Sequence, residues 1–148
     1  MLLLKFKKQK NGYPLIICPD GHWPGRHRPD AQKRLGTLAR MGAICVDFDL
    51  YGWGASEAEV GKKAHQTSRA HVYQAACGLK LLNYMLDTRK DIDTTRIGVC
   101  GGSGGGRTGC RAGCHKTCRN RGLFCQHKGL GRSARCHGQL VGHTVFPE

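Results

Sequence analysis

Three short stretches of this chain are apolar without alternation: Pro14-Leu-Ile-Ile-Cys-Pro19, Ala43-Ile-Cys-Val-Asp-Phe48 and Ile97-Gly-Val-Cys100. An unbroken apolar run of this length predicts a strand buried on both faces, and the prolines at 14 and 19 stiffen the ends of the first. Between these runs the period changes. Asp30 is placed to cap a helix through residue 40, with Leu35, Leu38, Ala39 and Met41 as its stripe and Gly42 as its stop. From 68 to 86, Val72, Ala75, Ala76, Leu79, Leu82, Met85 and Leu86 recur at steps of three and four, the stripe of a helix packed on a sheet. Residues 57–66 read as a polar loop and 87–95 as a charged turn. Strand, helix, strand, helix, strand predicts an α/β fold, a parallel sheet with helices on both faces built from right-handed crossovers. Reactive groups in such sheets gather at the carboxyl ends of the strands. Asp20-Gly-His-Trp23, residues 49–56 and Ser103 all fall at such ends.

After residue 106 the periodicity fades and the composition changes. The chain has 148 residues and a formal charge of +14. Residues 1–106 carry 16 Lys and Arg against 9 Asp and Glu, and residues 107–148 carry 8 against 1, so each part holds +7 and the shorter one is far denser in charge. Cys110, Cys114, Cys118, Cys125 and Cys136 crowd that second part. Cys18, Cys45 and Cys100 lie in strand-like runs and Cys77 on the second helix, which predicts buried free thiols rather than disulfides. The expected division is therefore 1–106 as the folded part and 107–148 as a basic Cys/Gly/His-rich tail, irregular and either disordered or the product of a reading-frame slip. Met1-Leu-Leu-Leu-Lys5 is too short, with its charges on the wrong side, to be a signal peptide, and no stretch reaches membrane-spanning length. The sequence reads as a soluble chain, with no membrane partner expected.

The chemistry concentrates in Arg96-Ile-Gly-Val-Cys-Gly-Gly-Ser-Gly-Gly-Gly106, where one hydroxyl stands among residues without a Cβ, directly after a strand. Gly101-x-Ser103-x-Gly105 is the Gly-x-Ser-x-Gly pattern of a nucleophile elbow. Three other readings compete. A flexible linker is one, but a strand leads into the run. Gly101-x-x-x-x-Gly106 followed by Arg107-Thr108 imitates a phosphate-binding loop with Arg in place of Lys. Gly104-x-Gly106-x-x-Gly109 imitates a dinucleotide fingerprint, without the later Asp that would hold a ribose. No cofactor is expected.

Residues of about 12–106 resemble the α/β-hydrolase superfamily, and within it the acetyl xylan esterase and dienelactone-hydrolase-like branch. The segments that carry the resemblance are Pro14-Leu-Ile-Ile-Cys-Pro-Asp-Gly-His-Trp23, Leu38-Ala-Arg-Met-Gly-Ala43, Asp47-Phe-Asp-Leu-Tyr-Gly-Trp-Gly-Ala-Ser56 and the elbow. The resemblance implies a serine ester hydrolase acting on a small ester or an acetylated carbohydrate. It implies Ser103 as nucleophile, the Gly104 amide as one oxyanion donor, and backbone donors near Gly21, His22 and Trp23 as the rest. His22 then belongs to an oxyanion element and is not the base. Asp20 stands where the family commonly has His, and Trp23 and Trp53 read as packing residues that could line a pocket.

The superfamily order continues with an acid and then a histidine. Residues 107–148 contain no Asp and a single acid, Glu148, while His115, His127, His137 and His143 follow no strand-like run. The expectation is a truncated α/β-hydrolase fold, inactive by itself, with the outer edge of its last strand unpaired. The competing class is a basic Cys/His-rich protein, binding metal or nucleic acid, on an α/β scaffold. Cys110, Cys114, His115, Cys118, Cys125 and His127 have the donor chemistry for Zn²⁺, but their spacing fits no familiar module, so no metal site is assigned. With no aromatic interleaving beyond Phe124 and Phe146, the tail reads as a solvated basic arm rather than a nucleic-acid surface.

Overall fold

The computed structural model describes residues 2–4, 11–23, 26–106 and 125–128, with side chains placed in 11–23 and 26–106. Its sheet has the order β1-β3-β2-β4-β5, formed by β1 (Leu2–Leu4), β2 (Tyr13–Pro19), β3 (Ile44–Phe48), β4 (Ile92–Gly102) and β5 (Cys125–Lys128). The three expected strands are the parallel centre: Ile16 lies opposite Cys45, and Ile17 opposite both Val46 and Val99. Two further strands flank them. Leu2–Leu4 pairs antiparallel with β3, and the backbone of Cys125–Lys128 runs parallel beside β4, so β4 is not left as an open edge. The other residues of 107–148, with the candidate metal ligands Cys110, Cys114, His115 and Cys118, lie outside the described residues.

β2, β3 and the Ile97–Cys100 part of β4 are mainly apolar because both of their faces are covered. On one face Leu15, Ile17, Ile44, Val46 and Val99 pack with Leu82 and Met85 of α3 (Ala70–Thr88). On the other, Cys18 and Cys45 pack with Leu35 and Ala39 of α1 (Pro29–Arg40). Helix α1 begins with Pro29 in its first turn, after Arg28 at the cap position, and Asp30 pairs with Arg28 instead of capping. Its end is as expected. The Gly42 amide bonds to Ala39 O, the Ala43 amide bonds to Leu38 O, and Gly42 holds a φ of +99°, the paired bonds of a Schellman stop.

Helix α3 is rotated from its expected stripe. Ala70, Gln74, Gly78, Leu82 and Met85 are buried, whereas Val72 is 69% exposed and Ala76 is also exposed. Gln74 accounts for the difference, since a polar residue occupies the inward position that an apolar count assigns to its neighbours. The same rotation leaves Cys77 exposed, contrary to the expectation of a buried thiol, while Cys18 and Cys45 are buried and free. Residues 57–66 are not a loop: Gly54–Ser56 and Lys62–Gln66 form 3₁₀ turns around α2 (Glu57–Val60). Strand β4 begins at Ile92, inside the expected charged turn, with a register shift between Tyr13 and Leu15 of its neighbour. Among the described residues no helix is long and apolar enough to cross a membrane.

Candidate functional site

At the carboxyl end of β4 the chain turns at Ser103 into a helical segment, residues 103–106. Ser103 has a φ of +51°, and among the described residues it alone is a non-glycine residue at positive φ. A side chain in the left-handed region costs on the order of 1 kcal/mol or more, so surrounding structure must impose it. The glycines show how. A Cβ on Gly105 would lie 2.2 Å from the carbonyl oxygens of both Pro19 and Asp20, and one on Gly101 would lie 2.8 Å from Gly105 C, Gly106 N and Pro19 O. The helical segment therefore sits directly on the end of β2, at a distance only glycine permits. Gly104, Gly105 and Gly106 are buried while Ser103 is exposed. This geometry presents one hydroxyl to solvent above a parallel sheet.

The loop after β2 comes to the same place. Trp23 folds back over its own loop, its ring edge 2.3 Å from where a Cβ on Gly21 would stand and 2.9 Å from that of Gly102. The Trp23 amide bonds to Gly21 O at 2.9 Å, and the Arg28 guanidinium lies 4.8 Å from its ring centroid. His22 is exposed at the rim. Its ring rests on Gly104, with Cε1 2.3 Å from the position a Cβ would take there. Ser103, Gly104, Gly21, His22 and Trp23, singled out separately in the sequence, are thus neighbours in space.

The loop after β3 forms the third wall, and Asp49 pins it. Its carboxylate accepts from the Ala55 amide at 3.0 Å, from the Arg26 amide at 3.1 Å and from the Arg26 guanidinium. Ser56 Oγ donates to Leu50 O at 2.8 Å and accepts from the Gly52 amide at 2.9 Å. Trp53 is thereby held edge-on to His22, ring centroids 5.8 Å apart, with Lys62 Nζ 5.0 Å from its ring centroid. His65 was not foreseen. It lies in a segment with no apolar period, and the 3₁₀ turn Lys62–Gln66 brings its Nε2 to 2.6 Å from His22 Nε2. No spacing in the sequence links positions 22 and 65.

Beneath the wall toward α1 the buried Asp20 and Asp47 lie beside the half-buried Arg34. Arg34 Nη2 is 3.5 Å from Asp20 Oδ1. Burial pushes the Asp20 carboxyl up, opposed by the charge of Arg34. Burial, then repulsion from Asp20, pushes Asp47 up to about 7. Burial also pushes the Cys100 thiol up. Among the described residues no group of three His, Cys, Asp or Glu side chains is arranged to hold a metal ion.

A parallel sheet covered by helices on both faces, with a serine forced to positive φ where a strand meets a helix, defines the class of α/β hydrolases. No sequence-family profile and no curated protein sequence matches the chain. Solved structures do. Methylesterase BT1017 is 60% identical with a TM-score of 0.64, over 68% of this chain and 23% of that one. Est1E from Butyrivibrio proteoclasticus, solved with ferulic acid, is 20% identical with a TM-score of 0.66, over 84% of this chain and 46% of that one. An acetyl xylan esterase from Paenibacillus sp. R4 is 21% identical with a TM-score of 0.55, over 82% of this chain and 41% of that one. The last two share the fold with it. The chain has the α/β-hydrolase fold of these structures, shared also with a dienelactone hydrolase structure from Klebsiella pneumoniae at 18% identity and a TM-score of 0.56, over 88% of this chain and 55% of that one. It spans about a quarter of the length of methylesterase BT1017 and less than half that of the other two.

Proposed function

We propose that this chain is the amino-terminal part of a serine ester hydrolase, of the carboxylesterase or acetyl xylan esterase type, with Ser103 as nucleophile. The observation that carries the reading is the φ of +51° at Ser103, stored strain at the one exposed hydroxyl of the turn. Ser103 Oγ attacks the ester carbonyl, its proton passes to a base, and the developing oxyanion is met by the Gly104 amide with backbone donors of the Gly21-His22-Trp23 loop. The substrate class is a small ester or an acetylated carbohydrate. Esterases among the similar structures support it. Residues 1–106 carry the hydrolase machinery in this reading, and 107–148 is a basic segment from which Cys125–Lys128 pairs with β4.

The chain alone is inactive in this reading. Asp47 and Asp20 are buried toward α1, Asp49 is committed to Arg26 and Ala55, and neither His22 nor His65 is bonded to a carboxylate among the described residues. A serine without base and acid keeps roughly 10³–10⁴ of rate enhancement from the oxyanion site and binding. The test uses the full 148-residue chain with a fluorophosphonate and with p-nitrophenyl acetate, imidazole being added as an external base. Labelling is expected on Ser103 by peptide mass, faster with imidazole and absent in Ser103→Ala, with no catalytic ester turnover. No label on Ser103 at any imidazole concentration removes the nucleophile assignment. Turnover without imidazole that Ser103→Ala abolishes removes the inactivity.

A further inference from the structure

Two rings of one loop stand on either side of Ser103. Gly21-His22-Trp23 turns tightly, with the Trp23 amide bonded to Gly21 O at 2.9 Å, so this N–H is used within the loop and the side chain is what Trp23 brings to the site. His22 rests on Gly104, the residue after the serine, and the six-membered edge of Trp23 rests on Gly102, the residue before it. The places a Cβ would take on Gly21 and Gly102 lie 2.3 and 2.9 Å from the same indole carbon, Cη2, so the ring fills a notch that two glycines leave open. Among the described residues its Nε1 is buried, and the atoms nearest Gly102 are Cη2 and Cζ2, so the ring shows hydrocarbon to the elbow. The Arg28 guanidinium, 4.8 Å from the ring centroid, covers a face of it. Trp23 is thus a half-buried, seated ring beside an exposed hydroxyl.

We infer that Trp23 limits the size of the ester: its indole is an apolar wall beside Ser103 that leaves room for only about one or two carbons on one side of the ester, the methyl of an acetyl ester or of a methyl ester. The inference rests on Ser103 being the nucleophile and names the substrate class of that site. A carbonyl attacked by Ser103 Oγ turns its oxygen toward Gly104, where the proposed oxyanion donors stand, so its two substituents leave the carbon in other directions. The one on the side of the β2 loop meets the Trp23 edge at once. A methyl group packs against such a surface with favourable apolar contact, whereas a longer chain needs the ring to move. The ring is poorly placed to yield, being seated against the backbone of Gly21 and Gly102 and covered by Arg28. A long flexible side chain in the same place would give way, and no size limit would follow.

The test acylates Ser103 in the full chain, with imidazole as base and the acyl-serine read by peptide mass. Four esters vary the two sides independently: vinyl acetate, vinyl octanoate, p-nitrophenyl acetate and p-nitrophenyl octanoate. Each rate is divided by that of the same ester with imidazole alone, which removes differences in intrinsic reactivity. The p-nitrophenyl octanoate, bulky on both sides, is expected to react at least about tenfold more slowly than vinyl acetate, and Trp23→Ala to bring the two level. Trp23→Phe, whose single ring stops short of Gly102, should recover part of the difference. A slow vinyl octanoate places the short side on the acyl group, and a slow p-nitrophenyl acetate places it on the alcohol. Equal rates for the two extreme esters in the wild type overturn the wall. A ratio that Trp23→Ala leaves unchanged, or a uniform loss across all four esters in both variants, does so too. So does a wild-type Ser103 that takes a fluorophosphonate but none of the esters. No fluorophosphonate label on Ser103 removes the nucleophile instead, and the wall with it.

Discussion

Gly105→Ala is expected to destabilise the chain by on the order of 3 kcal/mol and to abolish labelling of Ser103. The added methyl would stand 2.2 Å from two backbone carbonyl oxygens, those of Pro19 and Asp20, at the end of a buried strand. Neither is the flexible tip of a side chain. To restore ordinary contact, the helical segment must move away from β2 by about 1 Å, and Ser103 moves with it. Gly61→Ala is the control. Gly61 has nothing within 4 Å of a new Cβ but holds a φ of +75° with a ψ of 154°, a region open essentially to glycine alone, so the cost there is the conformational one, on the order of 1–3 kcal/mol. Denaturant unfolding of both variants gives the comparison. A Gly105→Ala variant as stable as wild type would mean that the turn does not rest on β2, and that Ser103 is not held in its strained conformation by this contact.

That contact is also where sequence reasoning was strongest, for a physical reason. A close approach of two backbones leaves glycine as a local signature, and a fully covered parallel strand leaves an apolar run, so Ser103 and the three central strands could be read without knowing what they touch. Side chains that matter through distant partners leave no such trace. His65 lies in a segment that reads as polar loop, and only the 3₁₀ turn Lys62–Gln66 turns it toward His22. Gln74 misled the count on α3, because a buried amide satisfied by polar neighbours is invisible to a hydrophobic period, and the true inward face passes through it. Leu2–Leu4 is three residues long, below the length at which an apolar run distinguishes a strand, and its pairing is decided by the open edge of β3.

The loops after β2 and β3 depend on charges that differ in kind. Asp49 sits at the rim, satisfied by two backbone amides and a guanidinium, and holds the Trp53 loop in place. Asp20 faces inward and shares Arg34 with Asp47, one cation for two carboxyl groups. Two buried carboxylates cannot both ionise beside a single guanidinium without cost, so the proton one of them retains is part of the folded state. The Asp20 backbone carbonyl is also one of the atoms on which Gly105 rests.

Asp47→Asn is expected to stabilise the chain relative to wild type by about 2–3 kcal/mol more at pH 8 than at pH 4.5. Asp47 is fully buried, and among the described residues neither oxygen of its carboxyl has a hydrogen-bond partner. Burial first and Asp20 second raise its titration to about 7, whereas in the unfolded chain it titrates near the ordinary value of about 4. Between these values the folded state holds a proton that the unfolded state has released. Stability is therefore fully present below about pH 4, falls as pH rises through that window, and levels off above about 7. Asparagine stays neutral throughout and removes the fall. Its amide brings an unsatisfied donor of its own, a cost that does not change with pH, so the informative quantity is the difference between the two pH values rather than either alone. Thermal unfolding of both proteins across pH 4.5–8 measures it, and parallel curves would show that Asp47 is ionised in the fold, with Arg34 neutralising it as fully as Asp20.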